Sequence, residues 1–140
     1  MRILIINGPN LNLLGKRETD VYGTTTLWDV ETRLKKKFPD VKFEFYQSNS
    51  EGTIIDMLHS AKDGAFDAVI INPGAYAHYA YAIRDAISAL EIPVVEVHLT
   101  NIHAREEFRH KSVIAPVCSG VIAGFGGIGY ELAVQFLVEA

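Results

Sequence analysis

Apolar residues fall along the chain in two alternating rhythms. Continuous runs at residues 3–6 (Ile-Leu-Ile-Ile) and 68–71 (Ala-Val-Ile-Ile) stop at Asn7-Gly8-Pro9 and Asn72-Pro73-Gly74. Short apolar runs closed by turn residues read as strands buried on both faces. Between them the period lengthens. Leu27, Val30, Leu34 and Phe38 recur at helical spacing, with residues 24–26 as cap candidates and Pro39 as the stop. Ser50 caps a second predicted helix carrying Ile54, Leu58 and Ala61 and running out near Gly64, and Ile83, Ala86, Ile87 and Leu90 mark a third. Residues 41–45 alternate with period two, as a half-exposed edge strand does. Residues 93–99 read as a further strand, followed by a polar stretch over 100–111. Residues 129–139 form the last predicted helix, and the fifth strand falls either at 121–123 or at 113–117.

Strand and helix thus alternate five times, which implies right-handed crossovers and a parallel sheet with helices on both faces. The two fully apolar runs belong at its centre and the alternating run at an edge. The expectation is an α/β fold, doubly wound and flavodoxin-like, with five strands in the order 2-1-3-4-5 and one domain over residues 1–140. In that order the ligand crevice opens at the carboxyl ends of strands one and three.

Composition narrows the function classes. The 140 residues are 49% apolar and 21% charged, which suits one globular domain. Cys118 is the only cysteine, so no intramolecular disulfide and no two-thiolate metal site can form. Thirteen Lys and Arg against 17 Asp and Glu give a net charge of −4, unsuited to general binding of nucleic acid or an anionic membrane. The opening apolar stretch is too short for a signal peptide core, and no run reaches the length that spans a bilayer. A soluble cytoplasmic protein is expected, with neither nucleic acid nor membrane as partner.

Three segments meet at the predicted crevice. Residues 8–24 form a connection far longer than the roughly 2–6 residues usual in such units, and carry Arg17 and Tyr22 among glycines. Residues 73–78 follow Asn72, and the third segment holds Glu96, His98 and Thr100, then Arg105 and Arg109. Side chains two apart on a strand share a face, so Glu96 lies beside His98. A carboxylate orients an imidazole and favours its protonated form, which suits a general acid. The plainer alternative is a charge pair on an exposed strand; closing a buried-type strand at the crevice favours the chemical reading. Tyr22 is one of six tyrosines. A free phenol is only about 0.1% ionised at neutral pH, a deficit of roughly 4 kcal/mol as a base. A guanidinium at about 4 Å supplies on the order of 4 kcal/mol at an effective dielectric of 20.

The blocks INGPNLNLLGKRETDVYG, INPGAYAHYAYAIRDAI, PVVEVHLTNIHAREEFRHKSVIAPV and GVIAGFGGIGYELA together resemble type II 3-dehydroquinate dehydratase (type II dehydroquinase), almost from end to end. The resemblance implies anti elimination of water from 3-dehydroquinate to 3-dehydroshikimate through an enolate, with no cofactor and no metal. It makes Tyr22 the base, Arg17 the group favouring its ionised form, and Asn10 the holder of a water against the enolate oxygen. His98 becomes the general acid, oriented by Glu96. Asn72, His78 and Arg109 would hold substrate hydroxyls, and Leu99 and Thr100 the carboxylate. Asp85 would reach the site of a neighbouring subunit, in a homododecamer built from trimers. Thr19 stands where the family often has proline and Thr100 replaces a common serine; neither removes a reacting group.

Other signals carry less. Gly124, Gly126 and Gly129 satisfy G-x-G-x-x-G, but only eleven residues follow, too few for the strand that supplies a ribose carboxylate. Tight strand-to-helix packing is the better reading. The five histidines form no HExxH or Cys-His ligand set. A receiver domain needs carboxylates where Asn7 and Asn72 stand, and a flavodoxin needs a hydroxyl-rich phosphate loop where GPNLNLLG stands. A catalytically silent binder would have no use for Tyr22, Arg17 and His98 together. The last helix is apolar nearly all round, which points to self-association.

Overall fold

The computed structural model describes residues 1–16 and 18–140. Five strands, β1 (Arg2–Asn7), β2 (Lys42–Gln47), β3 (Ala68–Asn72), β4 (Val94–His98) and β5 (Gly120–Ala123), form one sheet in the order β2-β1-β3-β4-β5. Every pairing is parallel. The flavodoxin-like order is therefore the observed one. β3 and β4 are buried throughout, whereas β2 alternates exposed and half-buried positions at the edge.

Side-chain parity sorts the core into two layers, because successive residues of a strand point to opposite faces. Ile3, Ile5, Ala68, Ile70, Val95 and Val97 face α2 (Leu27–Lys37) and α5 (Ile128–Glu139), meeting Val30, Leu34, Ala133, Val134 and Leu137. Leu4, Ile6, Val69, Ile71 and Val94 face α3 (Glu51–Ser60) and α4 (Tyr81–Ser88), meeting Ile54, Leu58, Ile83, Ala86 and Ile87. Each fully buried Leu or Ile contributes roughly 1.5–3 kcal/mol of transfer free energy. Helices α2 and α3 begin where side chains satisfy free amides: Thr26 and Asp29 form a reciprocal capping box on α2, and Ser50 accepts from the Thr53 amide on α3.

The open choice for the fifth strand falls on residues 120–123. Residues 113–117 instead turn through a short 3₁₀ helix at Ala115–Val117, with Pro116 inside it. Proline lacks the N–H a ladder needs, and Val113 and Ile114 are consumed as core under α4. The long connection after β1 holds a 3₁₀ turn at Leu11–Leu13 and a short helix, α1 (Thr19–Tyr22), which the hydrophobic pattern did not mark. The polar stretch after β4 contains 3₁₀ turns at Ile102–Ala104 and Glu107–Arg109. Gly129 fits the packing interpretation of its motif: a Cβ there would lie 3.3 Å from Val97 Cγ1. No described helix is long and apolar enough to cross a membrane.

Candidate active site

Asn7 and Asn72 end β1 and β3 in register, and beyond them the chain leaves the sheet in opposite directions. Gly8 makes the exit possible: its N–H donates to Asn72 O at 2.8 Å, and a Cβ there would sit 2.5 Å from Pro73 O. Above this point opens a cleft that is continuous with solvent. Its walls are Asn10, Leu11, Leu14 and Tyr22 from the first connection, Asn72, Gly74, Ala75 and His78 around the end of β3, and His98, Leu99, Thr100, Ile102, Arg105 and Arg109 from β4 onward.

The three segments expected at the crevice therefore share one cleft. Asn10, Tyr22, Asn72, His78, His98, Leu99, Thr100 and Arg109 all line it. Glu96 lies one layer behind, and Arg17 is outside the described residues. Asp85 sits on the exposed side of α4 and contributes nothing to the cleft wall of its own chain.

Glu96 and His98 are 0% and 6% exposed, so the plainer reading of a solvated charge pair is excluded. Glu96 Oε2 bonds His98 Nε2, and Glu96 Oε1 accepts from Ser112 Oγ at 2.9 Å. Ser112 Oγ in turn accepts from the Ala115 amide at 3.1 Å. A carboxylate with both oxygens satisfied is a fixed partner for the imidazole, and the bond between them is charge-assisted when the ring is protonated. With Nε2 committed, Nδ1 is the nitrogen left to serve the cleft.

Arg105 is the residue that sequence reasoning left without a role. Its Nη1 donates to Tyr22 Oη at 2.8 Å, and the guanidinium carbon lies 5.0 Å from the centre of the phenol ring. The same nitrogen reaches Thr100 Oγ1 at 3.4 Å. Tyr22 and Arg105 are 83 residues apart, and only the crossover through three strands joins them. Arg17, the partner expected from its place on the same connection, lies outside the described residues, so Arg105 stands beside that expectation and does not replace it.

His78 Nδ1 is 2.8 Å from Lys111 O, an acceptor only, so Nδ1 carries the hydrogen and donates it. Burial lowers the imidazole's pKa from its ordinary value, helped by the charges of His98 and Arg109 and opposed by the Lys111 carbonyl. The ring is therefore neutral near pH 7, and its Nε2 is an acceptor for a hydroxyl. It lies nearly parallel to the His98 ring at 6.3 Å between centres. Arg109 is held by Glu106, 3.1 Å from Nε, and that carboxyl is kept below its ordinary range by its own backbone amide and by Arg109. Asn10 adopts a left-handed conformation (φ 67°), and its backbone N–H donates to Asn49 Oδ1 at 2.9 Å. Among the described residues no group of three or more His, Cys, Asp or Glu is placed to hold a metal ion. Burial pushes the Cys118 thiol up to about 12, the opposite of what a nucleophile needs.

Comparison with known proteins points to one family. A sequence model of the family described as dehydroquinase class II matches residues 1–138. A 3-dehydroquinate dehydratase of Bacillus licheniformis is 58% identical over 139 residues, covering 98% of this chain and 95% of the relative. One of Caldicellulosiruptor bescii is 57% identical over 140 residues, covering 99% and 97%. Among solved structures, a type II dehydroquinase from Butyrivibrio crossotus superposes with a TM-score of 0.95 at 47% identity, covering 99% of this chain and 97% of that one.

Proposed function

The chain belongs to the class II dehydroquinase family, and from that membership we propose that it is a hydro-lyase converting 3-dehydroquinate to 3-dehydroshikimate. The observation that carries the mechanism is Arg105 Nη1 on the Tyr22 oxygen, in the same cleft as the buried Glu96–His98 pair. Phenolate is scarce in neutral water, and a guanidinium at hydrogen-bond distance gives it a counter-charge. Arg17, on the same connection, adds a second cation in this reading.

Tyr22 phenolate takes the proton next to the substrate ketone, and the C–H electron pair becomes an enolate. A water held by Asn10 stabilises the enolate oxygen. The enolate collapses, the C–O bond on the opposite face breaks, and His98 gives its proton to the departing hydroxyl, which leaves as water. Glu96 then faces a neutral imidazole, and the phenol's proton must pass back to His98 to reset the site. General acid and general base steps are each worth roughly 10²–10⁴-fold. Neutral His78, Asn72 and Arg109 supply an acceptor, an amide and a cation for the substrate's hydroxyls, while Leu99 and Thr100 offer amides, and Thr100 its hydroxyl, to the carboxylate. The dehydration step serves shikimate biosynthesis and quinate breakdown alike.

Asp85 belongs in this reading to a neighbour's site, within a dodecamer of trimers. A cytoplasmic location suits a small-molecule enzyme of this kind. The direct test is to add 3-dehydroquinate to metal-free protein and follow enone absorbance in the ultraviolet. A rise at catalytic protein concentration is expected, unchanged by chelators. No rise would remove the activity, and a rise abolished by chelators and restored by added metal would remove the metal-free mechanism.

A further inference from the structure

Below the cleft floor lies a polar cluster of which the mechanism uses only Asn72. By strand parity Asn7 and Asn72 both point to the face covered by α2 and α5, the parity of Ile5 and Ile70. There they meet Tyr130 in the first turn of α5, whose ring is 0% exposed. Tyr130 Oη donates to Asn7 Oδ1 and accepts from Asn72 Nδ2 at 3.1 Å. Asn72 Oδ1 accepts the Gly74 amide at 3.2 Å. Asn7 and Asn72 are 4% and 2% exposed, yet only Asn72 reaches the cleft wall.

The directions of these bonds allow one arrangement. Gly74 N–H can only donate, so it requires Asn72 Oδ1 on its side. The phenol's single proton is committed to Asn7, so toward Asn72 it offers a lone pair and requires Nδ2 there. Turning the amide over would set two donors against each other at Gly74 and two acceptors at Tyr130. Burial also raises the phenol's pKa, which keeps that proton in place. A phenylalanine would keep the ring in its core cluster with Ala133 and Val134 but leave Asn7 and Asn72 without their shared partner; the hydroxyl is what gives the amide its direction.

We infer that Tyr130 is a positioning residue for the reaction: its hydroxyl, oriented by Asn7, holds Asn72 so that the second Nδ2 hydrogen is left as a donor for a substrate oxygen. This rests on the reading of the cleft as a dehydroquinate site with Asn72 in contact with substrate.

The test is a double-mutant cycle with steady-state kinetics on 3-dehydroquinate. Tyr130→Phe is expected to lose about tenfold in kcat/KM, the effect of one misdirected hydrogen bond, and mainly through KM. Asn72→Ala is expected to lose at least as much, and the double variant no more than Asn72→Ala within about twofold. Asn7→Ala, which keeps the phenol but frees its proton to donate to Oδ1 of a turned Asn72 amide, is expected to raise KM in the same direction. It carries the test if Tyr130→Phe fails to fold. A Tyr130→Phe or Asn7→Ala enzyme within twofold of the parent, beside a crippled Asn72→Ala, overturns the positioning role alone. Additive losses in the double variant overturn it as well. An undiminished Asn72→Ala overturns the reading of Asn72 as a substrate contact, and the inference with it.

Discussion

Tyr22 and His98 face one cleft from different segments, and that opposition sets the sharpest expectations at the residue scale. Tyr22→Phe removes one oxygen and leaves the ring. Turnover is expected to fall by about 10³-fold or more, while a substrate analogue binds within a few-fold of the parent by calorimetry. Near-parent turnover would take tyrosine out of the base role. His78 gives a pH dependence with a definite sign. Because burial lowers its pKa below 6.5, the unfolded chain takes up the proton first as pH falls through that value. The ring's contribution to stability is complete above about 6.5 and is lost on acidification toward the lower folded pKa. Urea midpoints at pH 7.5 and 5.5 are expected to differ less in His78→Gln than in the parent; an equal difference would mean that the ring is not titrating against the fold. The Glu96–His98 pair was legible in sequence because strand parity alone places residues two apart together. Arg105, Ser112 and Tyr130 were not, since each meets its partner only through the crossovers that bring distant segments to one sheet end. Arg17 and Arg105 are equally plausible partners for Tyr22 by residue type, and only the geometry shows Arg105 bonded to it.

At the scale of elements, helices and central strands were readable because burial on one face imposes a period and burial on both removes it. Thr26 and Ser50 announced their helices by local side-chain chemistry that needs no tertiary context. The run 113–117 was ambiguous because β-branched residues fit either a strand or a buried irregular segment. Pro116 and the Ser112–Ala115 bond settle it as a turn that also ties down Glu96. Short turns in the two cleft-forming connections leave no periodic trace, being only three or four residues long. Gly8 tests how firmly the elements hold the site. A Cβ there would collide with backbone, not with a side chain that could swing aside, so the ends of β1 and β3 would have to part. Gly8→Ala is expected to cost about 1–3 kcal/mol in denaturant unfolding, the scale of a forced overpacking. It should also lower kcat/KM more than the stability loss explains, because Asn10 and Asn72 flank the displaced backbone. A variant with parent stability would show that the approach is looser than the structure has it.

The whole molecule leaves apolar surface that its own fold does not cover. Helix α5 buries Tyr130, Ala133, Val134 and Leu137, while Ile128, Leu132, Phe136 and Val138 on its other side are 39–49% exposed. Phe125 beside its start is 62% exposed and Trp28 on α2 is 71% exposed. A contiguous apolar face of this kind is unusual on a monomer and usual at an interface. In the proposed reading Asp85, a carboxylate on exposed α4 and away from its own cleft, acts on the reaction only if another copy brings a cleft to it. Two measurements therefore stand or fall together. Sedimentation of the parent is expected to show a large closed assembly of the 15.5 kDa chain, and Phe136→Glu a smaller species. Asp85→Ala is expected to keep the assembly and lose at least tenfold in kcat/KM, the scale on which losing a buried charged contact is felt. A parent that sediments as a monomer with full activity would show that each cleft is complete alone, and Asp85→Ala would then have nothing to remove.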